Sequence, residues 1–246
     1  MHNKRLSKRE RRVLKQQNIT VIQPEPFTTQ LKDIVPLTKA QQEVFNCFNK
    51  GNNLVLHGLA GTGKSFISLY LALRDLISGV SNYNQILIVR SVVPTREMGF
   101  LPGNMKDKIK VYEQPYSHIC TELFNRGDAY SILKGKNYVE FTSTSFIRGL
   151  TFDNTLMVID EIQNMTGGEI DSIITRVGKD SRVIICGDYR QSDLQKETDK
   201  RGLHDFFKII KSMNEFKFIE FNEEDIVRSG LVKNYIITKN KMNITF

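Results

Sequence analysis

Eight residues, Gly58-Leu59-Ala60-Gly61-Thr62-Gly63-Lys64-Ser65, set three glycines, a lysine and a hydroxyl at the spacing that wraps a chain around phosphate oxygens. Glycine lets successive backbone N–H groups curl inward, Lys64 has the reach for the outer phosphates, and Ser65 offers an oxygen to Mg2+. At average residue frequencies the pattern arises by chance about once in a hundred chains of this length, so a glycine-rich turn with a solvent lysine is the weaker reading. A bound ATP with its Mg2+ also needs carboxylates, and Leu156-Met157-Val158-Ile159 runs straight into Asp160-Glu161. Asp160 is expected in the Mg2+ shell. Glu161 is placed to orient or deprotonate an attacking water, because phosphoryl transfer depends on positioning more than on covalent chemistry. Alone, such a strand would be read as leaving the core through acidic residues; beside the glycine loop it reads as functional. A third segment ends in Cys186-Gly187-Asp188-Tyr189-Arg190-Gln191, from which Gln191 could reach the γ-phosphate.

These residues need elements that deliver them to one place. Leu54–His57 reads as a strand, Ser65 to about Ser78 as a helix, and Gln85–Arg90 as a second strand. A mostly helical stretch follows to about Leu133, and further strands are expected at Tyr138–Phe141, Thr155–Asp160, Arg182–Gly187 and Phe216–Phe221, separated by helix-length segments such as 167–177 and 202–213. Alternation of this kind specifies an α/β fold, a parallel sheet with helices on both faces. The carboxyl ends of parallel strands line one crevice, which is where the loop, Asp160 and Gln191 are expected to meet.

The chain has 246 residues and a formal charge of +8, and residues 1–17 hold seven lysines and arginines against Glu10 alone. Most of the excess therefore sits on a basic arm, which Ser7-x-x-Glu10 is suited to cap as a short helix. Such an arm fits contact with nucleic acid through counterion release, against the plainer reading of a solvated tail. Pro24, Pro26 and Pro36 mark 18–36 as an extended linker, giving an arm and linker over 1–36 and a single domain over 37–246. No apolar run approaches the ~20 residues that span a bilayer, and no secretory leader opens the chain, so a soluble, cytoplasmic protein is expected. Cys47, Cys120 and Cys186 are odd in number and far apart, which fits reduced thiols better than disulfides or a zinc site. His57 reads as a strand-end residue.

Thr38-x-x-Gln41 ahead of the first strand has two readings of equal standing: a capping box, or a glutamine that reads the edge of adenine. Thr166-x-x-Glu169 has the same form and is read as a cap alone.

Taken together, these blocks resemble the PhoH-like ATPases, which look like the first RecA-type domain of superfamily-one helicases. The resemblance covers about 37–240. It rests on the phosphate loop, Arg90-Ser-Val-Val-Pro94, Leu101-Pro-Gly103 after Gly99-Phe100, Arg148-Gly149-Leu150-Thr151 and Asp160-Glu-Ile-Gln163-Asn164. It also rests on Gly187-Asp188-x-x-Gln191-x-Asp193-Leu194, Arg201-Gly202-Leu203 and Asp225-Ile-Val-Arg228. The resemblance implies a RecA-like P-loop NTPase domain in which Gln41 contacts adenine, Asp160 and Glu161 serve metal and water, and Gln191 senses the γ-phosphate. It also implies that Arg228 approaches the γ-phosphate. Ser91 and Val111 stand where the family usually has proline, which points to a differently shaped loop after the second strand.

The resemblance further implies an ATPase coupled to single-stranded nucleic acid, RNA favoured, contacted through the basic arm and the helicase-like loops. Translocating helicases close two RecA-type domains around ATP; a lone domain is expected to find its second face in another subunit, as a homo-oligomer. Two other classes compete: a clamp that uses ATP only as a switch, and a small-molecule kinase with the same loop.

Overall fold

Successive side chains of a strand point to opposite sides of a sheet, and in this chain each side meets its own helical layer. The computed structural model describes residues 30–92, 105–188, 197–242 and 244. The basic arm with its Ser7-x-x-Glu10 pattern, Pro94, Leu101-Pro-Gly103, Gln191 and Asp193-Leu194 lie outside the described residues. The strands are β1 (Asn53–Gly58), β2 (Gln85–Arg90), β3 (Val139–Ser143), β4 (Thr155–Asp160), β5 (Arg182–Gly187) and β6 (Phe216–Phe221). They form one sheet in the order β3-β2-β4-β5-β1-β6, with every neighbouring pair parallel. The helices are α1 (Lys39–Asn49), α2 (Lys64–Ser78), α3 (Met105–Phe124), α4 (Ala129–Gly135), α5 (Gly167–Ile174), α6 (Glu197–Lys211) and α7 (Gly230–Lys241).

Leu54, Leu56, Ile86, Ile88, Leu156, Val158 and Ile184 face a core built with α1 to α4, where Phe48, Leu73, Tyr116 and Leu133 are buried. Their alternates Val55, Leu87, Val89, Met157, Ile159, Val183 and Ile185 face a second core with Ile170 and Ile173 of α5 and Leu203, Phe206 and Ile210 of α6. Each such side chain, fully buried, contributes roughly 1.5–3 kcal/mol. The division follows from handedness. Connections that step from β1 toward β3 carry α2, α3 and α4, whereas those that step back toward β6 carry α5 and α6, as right-handed crossovers require.

Strand β4 is buried along its whole length, and β5 separates it from β1. The segment before α1, expected as linker, runs extended along the body. Lys32 N–H donates to the Leu123 carbonyl at 2.9 Å, Ile34 N–H to the Tyr70 hydroxyl at 3.2 Å, and Leu31 and Ile34 pack on the core. Helix α7 has no counterpart among the sequence expectations: none of its residues is buried, so no apolar stripe marks it. Among the described residues no helix is long and apolar enough to cross a membrane.

Candidate active site

The loop Gly58–Ser65 leaves β1 and enters α2, as its sequence requires. Gly58 has φ +121°, and a Cβ there would overlap the carbonyl of Phe221 on β6; that approach lets Leu59 N–H donate to the same carbonyl at 3.1 Å. Gly61, at φ +75°, lies against the Arg228 side chain, whose Cγ would be 2.9 Å from any Cβ. Further bonds hold the loop from behind. Thr62 Oγ1 donates to the Leu59 carbonyl at 2.9 Å, Val227 N–H to the Gly61 carbonyl at 3.0 Å, and Gln41 Nε2 to the Thr62 carbonyl at 3.1 Å. Lys64 Nζ donates to the carbonyls of Gly58 and Leu59 at 2.8 and 2.7 Å. Burial lowers the Lys64 pKa, against the nearby carboxylates of Asp188, Glu161 and Asp160, which raise it.

Gln41 meets half of the capping reading. Its backbone N–H donates to the capping Thr38 Oγ1 at 3.3 Å, but its side chain does not return to Thr38. Its Oε1 accepts Leu37 N–H at 2.7 Å while Nε2 reaches the phosphate loop. At Thr166 the box closes fully with Glu169.

Across the sheet, Ser65 Oγ donates to Asp160 Oδ1 at 2.9 Å and the Tyr116 hydroxyl donates to Asp160 Oδ2 at 2.8 Å. Burial, with the Asp160 charge adding to it, lifts the Tyr116 pKa well above that of an ordinary phenol, so the hydroxyl stays protonated and donates. Arg90 stands beside Asp160 in the strand register and lies over the Tyr112 ring at 5.7 Å. Glu161 turns the chain out of β4 through a left-handed conformation, φ +54°. Burial first, then the Asp160 charge, raise its pKa, while Arg90, a Gln163 hydrogen bond and Lys64 oppose the rise. That bond runs from Gln163 Nε2 to Glu161 Oε2. The Gln163 Oε1 accepts Asp188 N–H at 3.1 Å, so one amide ties the exit of β4 to that of β5, and Gly187 leaves the room it occupies.

The cleft so enclosed has a volume of about 830 Å3 and is lined by the phosphate loop, Gln41, Asp160, Glu161, Asp188 and Arg228, with α3 and the 34–37 segment as further wall. The structure thus brings together every sequence-expected site residue that it describes; Gln191 lies outside the described residues. Hydroxyl and carboxylate oxygens at Ser65 and Asp160 are the hard donors Mg2+ takes, and Mg2+ in nucleotide sites takes few protein ligands, the rest coming from phosphate and water.

Sequence reasoning missed two contributors. Tyr116 looks like any core aromatic of a helix, and its bond to Asp160 joins residues 44 apart. Glu169, read only as a cap, also accepts hydrogen bonds from Thr144 Oγ1 and, at 3.4 Å, Ser91 Oγ. It therefore ties together the carboxyl ends of β2 and β3 and the turn that follows β4. Polar residues directly after those two strands were the available signal.

Residues 33–239 match the family model described as PhoH-like protein. A PhoH-like protein of Bacillus subtilis (strain 168) is 30% identical over 213 residues, covering 86% of this chain and 66% of that protein. Protein PhoH of Escherichia coli (strain K12) is 30% identical over 200 residues, covering 80% and 56%. The chain thus spans less than two thirds of the length of these curated relatives. Among solved structures, the large terminase from a thermophilic bacteriophage, in complex with ADP, is similar with a TM-score of 0.48 at 12% identity, over 81% of this chain and 49% of that one.

Proposed function

The chain belongs to the PhoH-like family, and from that premise and the geometry of the cleft we propose that it binds and hydrolyses ATP with Mg2+, coupled to single-stranded nucleic acid, RNA favoured. The observation that carries the proposal is the 2.9 Å bond from Ser65 Oγ to Asp160, which brings the phosphate loop and the acidic end of β4 into one cleft with Glu161 beside them.

Each residue then has a task. The loop from Gly58 to Gly63 cradles the phosphates with backbone N–H groups, and Lys64 exchanges its two carbonyl partners for the outer phosphate oxygens. Ser65 and Asp160 hold Mg2+, which when bound neutralises charge on the phosphate oxygens. Glu161 orients the attacking water and accepts its proton, with Gln163 fixing the carboxylate by its hydrogen bond. Gln191 senses the γ-phosphate. Arg228, exposed on the rim, contributes charge to the transition state. Gln41 meets adenine by giving up one of its present bonds, so base recognition and loop shape are linked through Thr62.

The proposal includes a homo-oligomer in which a second copy packs against the rim of the cleft. Its support is the open rim: Arg228 is exposed and α7 buries none of its residues. Phosphate release measured with and without single-stranded RNA tests the coupling. Turnover is expected to rise with RNA and to collapse in Lys64→Ala. Turnover that ignores RNA overturns the coupling and leaves hydrolysis; ATP binding with no turnover describes a clamp; phosphate delivered to a metabolite describes a kinase.

A further inference from the structure

Both carboxylate oxygens of Asp160 are held by hydroxyl donors from different elements: Ser65 at the start of α2 on Oδ1 and Tyr116 in α3 on Oδ2. The first donor belongs to the phosphate loop. The second does not, and core packing alone does not call for it. Tyr116 is 1% exposed and its ring packs at 5.8 Å from that of Phe141, an environment in which phenylalanine would pack as well and leave no polar atom to satisfy. A hydroxyl buried there, aimed at a carboxylate that is itself 4% exposed, removes that carboxylate's freedom to rotate.

We propose that Tyr116 is a positioning residue for the nucleotide's divalent cation: it pins Oδ2 of Asp160 so that the carboxylate is already oriented when the cation arrives with its phosphates. The inference rests on the reading of Asp160 as part of the cation's shell. Outer partners of this kind fix ligand orientation, and their loss typically weakens metal affinity about 10–100-fold. Because Tyr116 lies on α3, the helix that follows β2, the same contact joins the cation's side of the cleft to a segment outside the phosphate loop.

The test uses the full chain and a fluorescent ADP analogue, bound first in EDTA and then across a Mg2+ titration. Tyr116→Phe keeps the ring, so affinity in EDTA is expected to stay within about twofold of the parent, while the Mg2+ concentration at half-effect rises about tenfold or more. An unchanged half-point overturns the positioning role and leaves the site reading intact. A parent chain whose nucleotide binding ignores Mg2+ overturns both. Asp160→Asn separates positioning from packing. In that background Tyr116→Phe is expected to shift the half-point no further, since coupled residues act non-additively; the full shift persisting there overturns the proposal.

Discussion

The floor of the cleft, from Gly58 to Lys64 with Asp160 behind it, and its rim, from Val227 along α7, differ in how many of their groups already have partners within the chain. On the floor, the carbonyls of Gly58, Leu59, Gly61 and Thr62 all accept hydrogen bonds, and both oxygens of Asp160 are engaged. On the rim, Leu231 is 83% and Tyr235 59% exposed. Asn240 Nδ2 donates from α7 to Glu223 Oε1 at 3.1 Å, and Ile236 lies near Gly61. On the proposed reading, a phosphate-binding floor is preorganised where charge develops, and the open rim is the surface a second copy would pack against, so the two regions would differ in task.

Substitution should expose that difference in descending order. Gly58→Ala combines a left-handed φ with overlap of the Phe221 carbonyl and is expected to cost about 3 kcal/mol or more of stability, read by chemical denaturation. Arg228→Ala should leave stability within about 0.5 kcal/mol yet lower ATP turnover about a hundredfold or more. Mixing it with Lys64→Ala chains and measuring recovered turnover tells whether Arg228 acts across subunits. Leu231→Ser, on the exposed face of α7, should change monomer stability by less than about 0.5 kcal/mol; a large loss would mean that the rim is as tightly built as the floor.

Much of this was legible beforehand, for physical reasons. Strands β2, β4 and β5 were found at their expected bounds because each is a short apolar run buried on both faces, the pattern that a parallel sheet covered on both sides demands. The meeting of the glycine loop with Asp160 followed from that topology. What stayed hidden depended on tertiary distance. The Tyr116 bond to Asp160 spans a helix and a strand, and nothing local to either residue announces it. The Gln41 amide illustrates the intermediate case: Thr38 capping its N–H was readable, but the turn of its side chain toward Leu37 and Thr62 was not. Helix α7 escaped notice because a helix that buries nothing carries no periodic signature.

Glu161 joins the structural and chemical sides of the account. Burial raises its pKa above the ordinary glutamate value of 4.5, so the folded chain holds that proton more tightly than the unfolded one. The resulting stability is present at acidic pH and lost as pH rises through the raised value. Glu161→Gln should therefore melt above the parent at alkaline pH, and that advantage should vanish below the ordinary glutamate range.

The most direct measurement is phosphate release from ATP by the parent and by Glu161→Gln, with ATP binding recorded on the same samples across pH. The account predicts that the variant still binds ATP while turnover falls about 10²–10⁴-fold. It also predicts that the parent's activity declines on the acid side through an apparent pKa above 4.5, a limb missing from the variant. Turnover by Glu161→Gln at the parent's rate would contradict it.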